Sequence, residues 1–209
     1  MYDELDILKE VGSIASCYGS TALSEILGKK IMLSLVSTDI ISSEMIPQNV
    51  KFDYMGIAVF SKIIVGLEGE VAFILDEKNI FKLVELSYKI KQEEKNMGVL
   101  TEMGLSLIKE IGNMIIGSYI TSLGLILKRL ILSPVPTLLN GSIGDLLNII
   151  LSLSDGKAYS CLIEAVFEEP EEKIKGSFYL VLTPRAVKDI REICKKMLDD
   201  SRNGEENKG

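Results

Sequence analysis

Two long segments of the chain carry apolar residues at helical spacing, with polar positions recurring between them. They read LDILKEVGSIASCYGSTALSEILGKKI at 5–31 and LSLIKEIGNMIIGSYITSLGLILKRLI at 105–131. Apolar positions three and four apart share one face, so each segment predicts a long helix. The segments superpose without a gap at an offset of 100. Leu5/Leu105, Lys9/Lys109, Glu10/Glu110, Gly12/Gly112, Thr21/Thr121 and Leu23/Leu123 are identical, and Val11/Ile111 and Ile14/Met114 are like for like. Two copies are too few for a solenoid, so a duplicated half with pseudo-twofold symmetry is the expectation.

The stretches after the two helices repeat as well. β-branched runs with partial alternation predict strands around 31–41, 54–65 and 69–75, and Gly66 and Gly69 punctuate the second run. Apolar residues at 80, 81, 83, 84, 86 and 90 then predict an amphipathic helix over Lys78 to Ile90. In the second half RLILSPVPTLL, KAYSCLIEAVFE and IKGSFYLVL take the strand places, and a closing helix runs from about Pro184 to Leu198. Gly144 to Leu153 adds a short helix before the middle strand. The fold class is therefore α+β, with two helix-strand-strand-strand-helix halves. Two short sheets, or one shared antiparallel sheet, would pack against the long helices. A single domain over 1–198 is expected, made of pseudo-repeats at about 3–92 and 99–198. The polar segment KQEEKNMG links them, and a polar tail at 199–209 is expected to be disordered.

Composition narrows the chemistry. The chain has 209 residues, 47% hydrophobic and 25% charged, enough to bury a sizeable core. Its net charge of −7 lacks the concentrated basic surface that nucleic acid requires. Histidine is absent, which removes histidine general bases and most zinc sites. Cys17, Cys161 and Cys194 are scattered and odd in number, so they suggest neither a disulfide framework nor a metal site. The longest apolar stretch, Met114 to Leu127, is 14 residues and falls short of the roughly 20 that a membrane span needs. These features predict a soluble cytoplasmic protein without membrane insertion. Halves able to bury each other are compatible with a monomer.

The remaining candidate chemistry lies on the repeated helices. Glu110 and Asn113 stand three apart on one face, with Ser106 one turn earlier. The first copy offers Asp6, Glu10 and Ser13 at the same places. A carboxylate beside a carboxamide serves equally well as a solvated helix face or as a site. As a site it suits phosphoryl transfer, where an amide can hold an attacking water in line. Gly12 and Gly112 each cost roughly 1 kcal/mol against alanine within a helix, and close approach of another backbone would explain them.

Ser106, Glu110, Asn113 and, after 22 intervening residues, Pro136 match the pattern [D/S]-x3-E-x2-N-x22-P. In this the chain resembles the CheC/CheX/FliY family of CheY-phosphate phosphatases, and its length and doubled motif are most similar to the CheC-type members. The resemblance implies hydrolysis of the phospho-aspartate on CheY, a chemotaxis response regulator. Glu110 would engage a receiver lysine and Asn113 would orient the hydrolytic water. The chain would need no cofactor of its own, because the Mg2+ would sit on the partner receiver. CheD, a receptor-modifying deamidase, is the other partner implied. The first motif departs from the pattern: Ser13 replaces the asparagine and Val36 replaces the proline. A serine hydroxyl is shorter and lacks the planar donor-acceptor pair of an amide. One working site at Glu110/Asn113 is expected, with Glu10/Ser13 a degenerate second one.

Overall fold

The computed structural model describes residues 4–42, 54–91, 102–152 and 159–206. Helix α1 (Glu4–Leu27) leads into β1 (Met32–Ser42), β2 (Met55–Ile63), β3 (Gly69–Asp76) and α2 (Glu77–Lys91). The second half runs α3 (Glu102–Ile126), β4 (Thr137–Ser142), α4 (Ile143–Ser152), β5 (Tyr159–Glu169), β6 (Ile174–Leu182) and α5 (Pro184–Glu206). The linking segment 92–98 lies outside the described residues. Helix α5 continues to Glu206, through most of the stretch expected as a polar tail.

All six strands join one antiparallel sheet, in the order β1-β5-β6-β3-β2-β4. The halves exchange their first strands. β1 pairs with β5 of the second half, and β4 pairs with β2 of the first. Neither half therefore closes its sheet alone. β3 and β6 pair with each other at the centre. Both lie under cover on two faces, so β3 reads as a nearly unbroken buried run.

On one face of the sheet α1, α2, α3 and α5 bury the main core. Phe73, Phe167, Phe178, Ile115 and Leu123 are among its fully enclosed side chains. The other face carries a smaller core, where Leu146, Leu147 and Ile150 of α4 meet Ala58, Ala72 and Val181. Ser142 caps α4: its hydroxyl accepts from the Asp145 N–H at 3.1 Å and donates to the Asp145 carboxylate at 2.6 Å. The polar residues of this added segment thus start a helix.

The repeat extends to helix ends. Gly28 takes φ +61° after α1, and Lys128, one hundred residues on, takes φ +51° after α3. There the Arg129 N–H donates to Gly124 O at 3.0 Å and the Lys128 N–H to Leu125 O at 3.3 Å. This is a Schellman closure with a lysine where glycine is usual. At the end of α1, Ser20 and Ser24 supplement the turn by accepting from the Leu33 and Ile31 N–H groups.

One strand departs from its expected place. RLILSPVPTLL at 129–139 would have formed β4, but β4 begins only at Thr137. Leu132 makes an isolated bridge with Val65 before the ladder breaks. Pro134 and Pro136 lack the N–H groups a ladder needs, which delays the strand.

Candidate functional site

Helices α1 and α3 lie side by side on the sheet and cross where Gly19 approaches the Tyr119 backbone. Ile126, near the end of α3, shares a cleft with Asp6 and Ile7 at the start of α1. The helices therefore run antiparallel, and their two motifs sit toward opposite ends of the pair.

Burial follows the same order along both helices. α1 exposes Asp6, Glu10, Ser13, Cys17, Thr21 and Glu25. α3 exposes Ser106, Glu110, Asn113, Gly117, Thr121 and Leu125 at the equivalent positions. Steps of three and four residues keep each set on one stripe. The intervening Leu8, Val11 and Ala15, and likewise Ile108, Ile111 and Ile115, point into the core. Ser106, Glu110 and Asn113 thus share one solvent-facing stripe.

Gly112 accounts for the height of that stripe above the sheet. A Cβ built on Gly112 would lie 2.5, 2.6 and 2.7 Å from Cγ2, Cβ and Cγ1 of Val59 in β2. Ordinary contact begins near 3.4 Å, so α3 rests on Val59 only because residue 112 has no side chain. The close neighbour is a side chain, where sequence reasoning suggested a backbone. At Gly12 the same construction meets Leu35 Cδ1 at 3.4 Å and Ile163 Cγ2 at 3.5 Å. The first helix has room for a methyl group; the second does not.

Pro136 comes to the same strand from its edge, just before the β4 ladder begins. It is buried directly before β4, whose Leu138 pairs with Val59. The motif's distant proline and its helical glycine thus converge on one strand. In the first half, Val36 is the unpaired residue of a β-bulge between Leu35 and Ser37. A bulged residue and a proline both interrupt a ladder, so Val36 keeps the local break while losing the proline ring.

Beside the first motif opens a cleft of about 930 Å³, lined by Asp6, Glu10, Ser13, Val36, Thr38 and Met197. Thr38 Oγ1 is buried there without a hydrogen-bond partner among the described residues. Beneath α1, the fully enclosed Tyr119 packs its ring on Phe178, centroids 4.4 Å apart. Burial raises the Tyr119 phenol pKa and keeps it neutral. Its hydroxyl and Ser16 Oγ both lack a satisfying partner among the described residues. Sequence reasoning missed Val59, Tyr119 and Thr38. None carries a local signal, since each matters only through what crosses it. Among the described residues, no group of three or more histidine, cysteine, aspartate or glutamate side chains could hold a metal ion. No helix among them is long and apolar enough to cross a membrane.

Comparison with known proteins agrees with this arrangement. A model of the CheC-like family matches residues 103–139, the stretch that holds Ser106, Glu110, Asn113 and Pro136. The chain is 22% identical over 184 residues to the CheY-P phosphatase CheC of Bacillus subtilis, covering 86% of this chain and 88% of that one. Its fold is similar to FliY of Thermotoga maritima, with a TM-score of 0.71 and 26% identity over 94% of this chain and 98% of that one. FliM of H. pylori, from its complex with SpeE, shares the fold at a TM-score of 0.59 and 12% identity, over 94% and 96% of the two chains. A motif-bearing helix, a duplicated α+β fold and relatives that span nearly the whole chain point one way: this chain is similar to members of the CheC/CheX/FliY family.

Proposed function

We propose that this chain dephosphorylates the phospho-aspartate of a CheY-type response regulator in the cytoplasm. The observation that carries the reading is the stripe of Ser106, Glu110 and Asn113, exposed together on a helix seated against the sheet at Gly112. Glu110 grips a lysine of the receiver, and the Asn113 amide enters the receiver's site and holds a water in line with the phosphorus. An amide can accept from and donate to one water at once, which is the positioning role in-line hydrolysis calls for. The receiver brings the Mg2+; this chain supplies side chains only. The exposed stripe suits a reaction on another protein's surface better than one on a small molecule, which would need an enclosing pocket.

The first half does not share this role. Glu10 is exposed as Glu110 is, but Ser13 cannot span the distance an asparagine does. A second reading, an adaptor that binds phosphorylated CheY and CheD with little hydrolysis, draws on that missing amide. The decay of CheY-phosphate measured alone, with this protein, and with CheD added separates the two. Acceleration that disappears in Asn113→Ala supports the phosphatase; no acceleration in any mixture removes it.

A further inference from the structure

We infer that Gly112 and Val59 form a positioning seat for the reaction, one that sets how far Glu110 and Asn113 stand from the sheet. The inference rests on the phosphatase reading. Asn113 comes directly after Gly112 and Glu110 precedes it by two residues, so a shift of the backbone at 112 moves both. Val59 is fully buried and pairs with Phe73 on one side and Leu138 on the other. It is not free to yield. A methyl group on residue 112 would have to gain 0.7 to 0.9 Å of clearance, the gap between the built 2.5–2.7 Å and ordinary contact at 3.4 Å. The helix, which has solvent on its outer side, is the partner that moves.

Such a movement separates Glu110 and Asn113 from the surroundings that do not move. Pro136 and β4 stay anchored on the far side of β2 through the Val59–Leu138 pair. A receiver that touches both the helix and this neighbouring surface then meets the asparagine at the wrong height. Misplacement of this size costs up to about a hundredfold in rate. Gly112 and Val59 touch no reacting atom. They are positioning residues.

Turnover of CheY-phosphate at saturating receiver tests the seat, at a temperature where each variant is folded by circular dichroism. Gly112→Ala is expected to lower kcat about ten- to a hundredfold with little change in KM, and to lower Tm by a few degrees. Gly12→Ala, the same change in the roomy half, should leave kcat unaltered. Removing the opposing side chain as well, in Gly112→Ala/Val59→Gly, should restore most of kcat although Tm stays low. That pattern separates positioning from stability, because the double variant regains rate without regaining Tm. A folded Gly112→Ala with wild-type kcat overturns the inference, as does a folded double variant no faster than the single one. If the unaltered protein fails to accelerate decay, the phosphatase reading falls and takes the seat with it.

Discussion

Helices α1 and α3 share a repeated sequence pattern, the same exposed positions and equivalent places against the sheet, yet they differ where chemistry would be done. α3 carries the amide of Asn113 and packs at Gly112 so closely on Val59 that no side chain fits between them. α1 carries Ser13 and leaves room for a methyl at Gly12. The tight packing and the amide occur in the same half. In the other half both are relaxed, and a cleft lies alongside. A duplicated framework can therefore persist through its core while one copy of the surface drifts, because burial constrains Leu8 or Ile108 far more than it constrains an exposed position.

The largest expected difference between the halves is catalytic. Asn113→Ala should slow CheY-phosphate hydrolysis about a hundredfold or more, on the scale of losing one positioning group. Ser13→Ala should leave the rate unchanged in the same assay. A reversed ranking would show that the first half is the working one.

Thiol chemistry offers a second contrast. Cys17 is exposed on the α1 stripe at the place of Gly117 on α3. Alkylating Cys17 with a bulky maleimide at pH 8 should leave hydrolysis intact. The same label on Gly117→Cys, where added atoms find open space, should block receiver docking and abolish most activity. Cys161 will not interfere, since burial pushes its thiol up to about 12 and it stays protonated at that pH. Loss of activity in the labelled wild type would place the receiver on α1.

Stability should split the two glycines in sign. By urea denaturation, Gly112→Ala should cost about 1–3 kcal/mol through overpacking. Gly12→Ala should gain about 0.5–1 kcal/mol from helix propensity. Equal effects would mean that the two helices sit at the same height. The smallest effects concern single positions. Lys128→Gly should add about 1 kcal/mol by relieving the left-handed backbone that Gly28 already occupies without strain. Ser13→Asn should raise hydrolysis at most about twofold, the limit set by adding one site to one. A larger increase would show that the first half is held ready for catalysis and lacks only the amide.

The repeat, the long helices, the order of elements and the stripe of Ser106, Glu110 and Asn113 were all legible along the chain. Helical and strand periods, and the offset between copies, are local properties of a sequence. Val36 shows the limit of that reading. By sequence it is a missing proline; in the fold it is a bulged residue at the same break in the ladder. The delayed start of β4 was present in Pro134 and Pro136, but the surrounding β-branched residues concealed it until pairing partners were known.

Sequence alone placed Ser106, Glu110 and Asn113, and likewise Asp6, Glu10 and Ser13, on one face of each helix, because helical geometry turns spacing into direction. The contacts between elements far apart in the chain were decided only by tertiary structure. The two halves exchange their first strands, so β4 of one half lies beside β2 of the other. That exchange brings Leu138, two residues beyond Pro136, next to Val59 under Gly112. A glycine's purpose depends on what fills the space its side chain would have taken. That neighbour lies 53 residues earlier along the chain, and only the folded sheet puts it there.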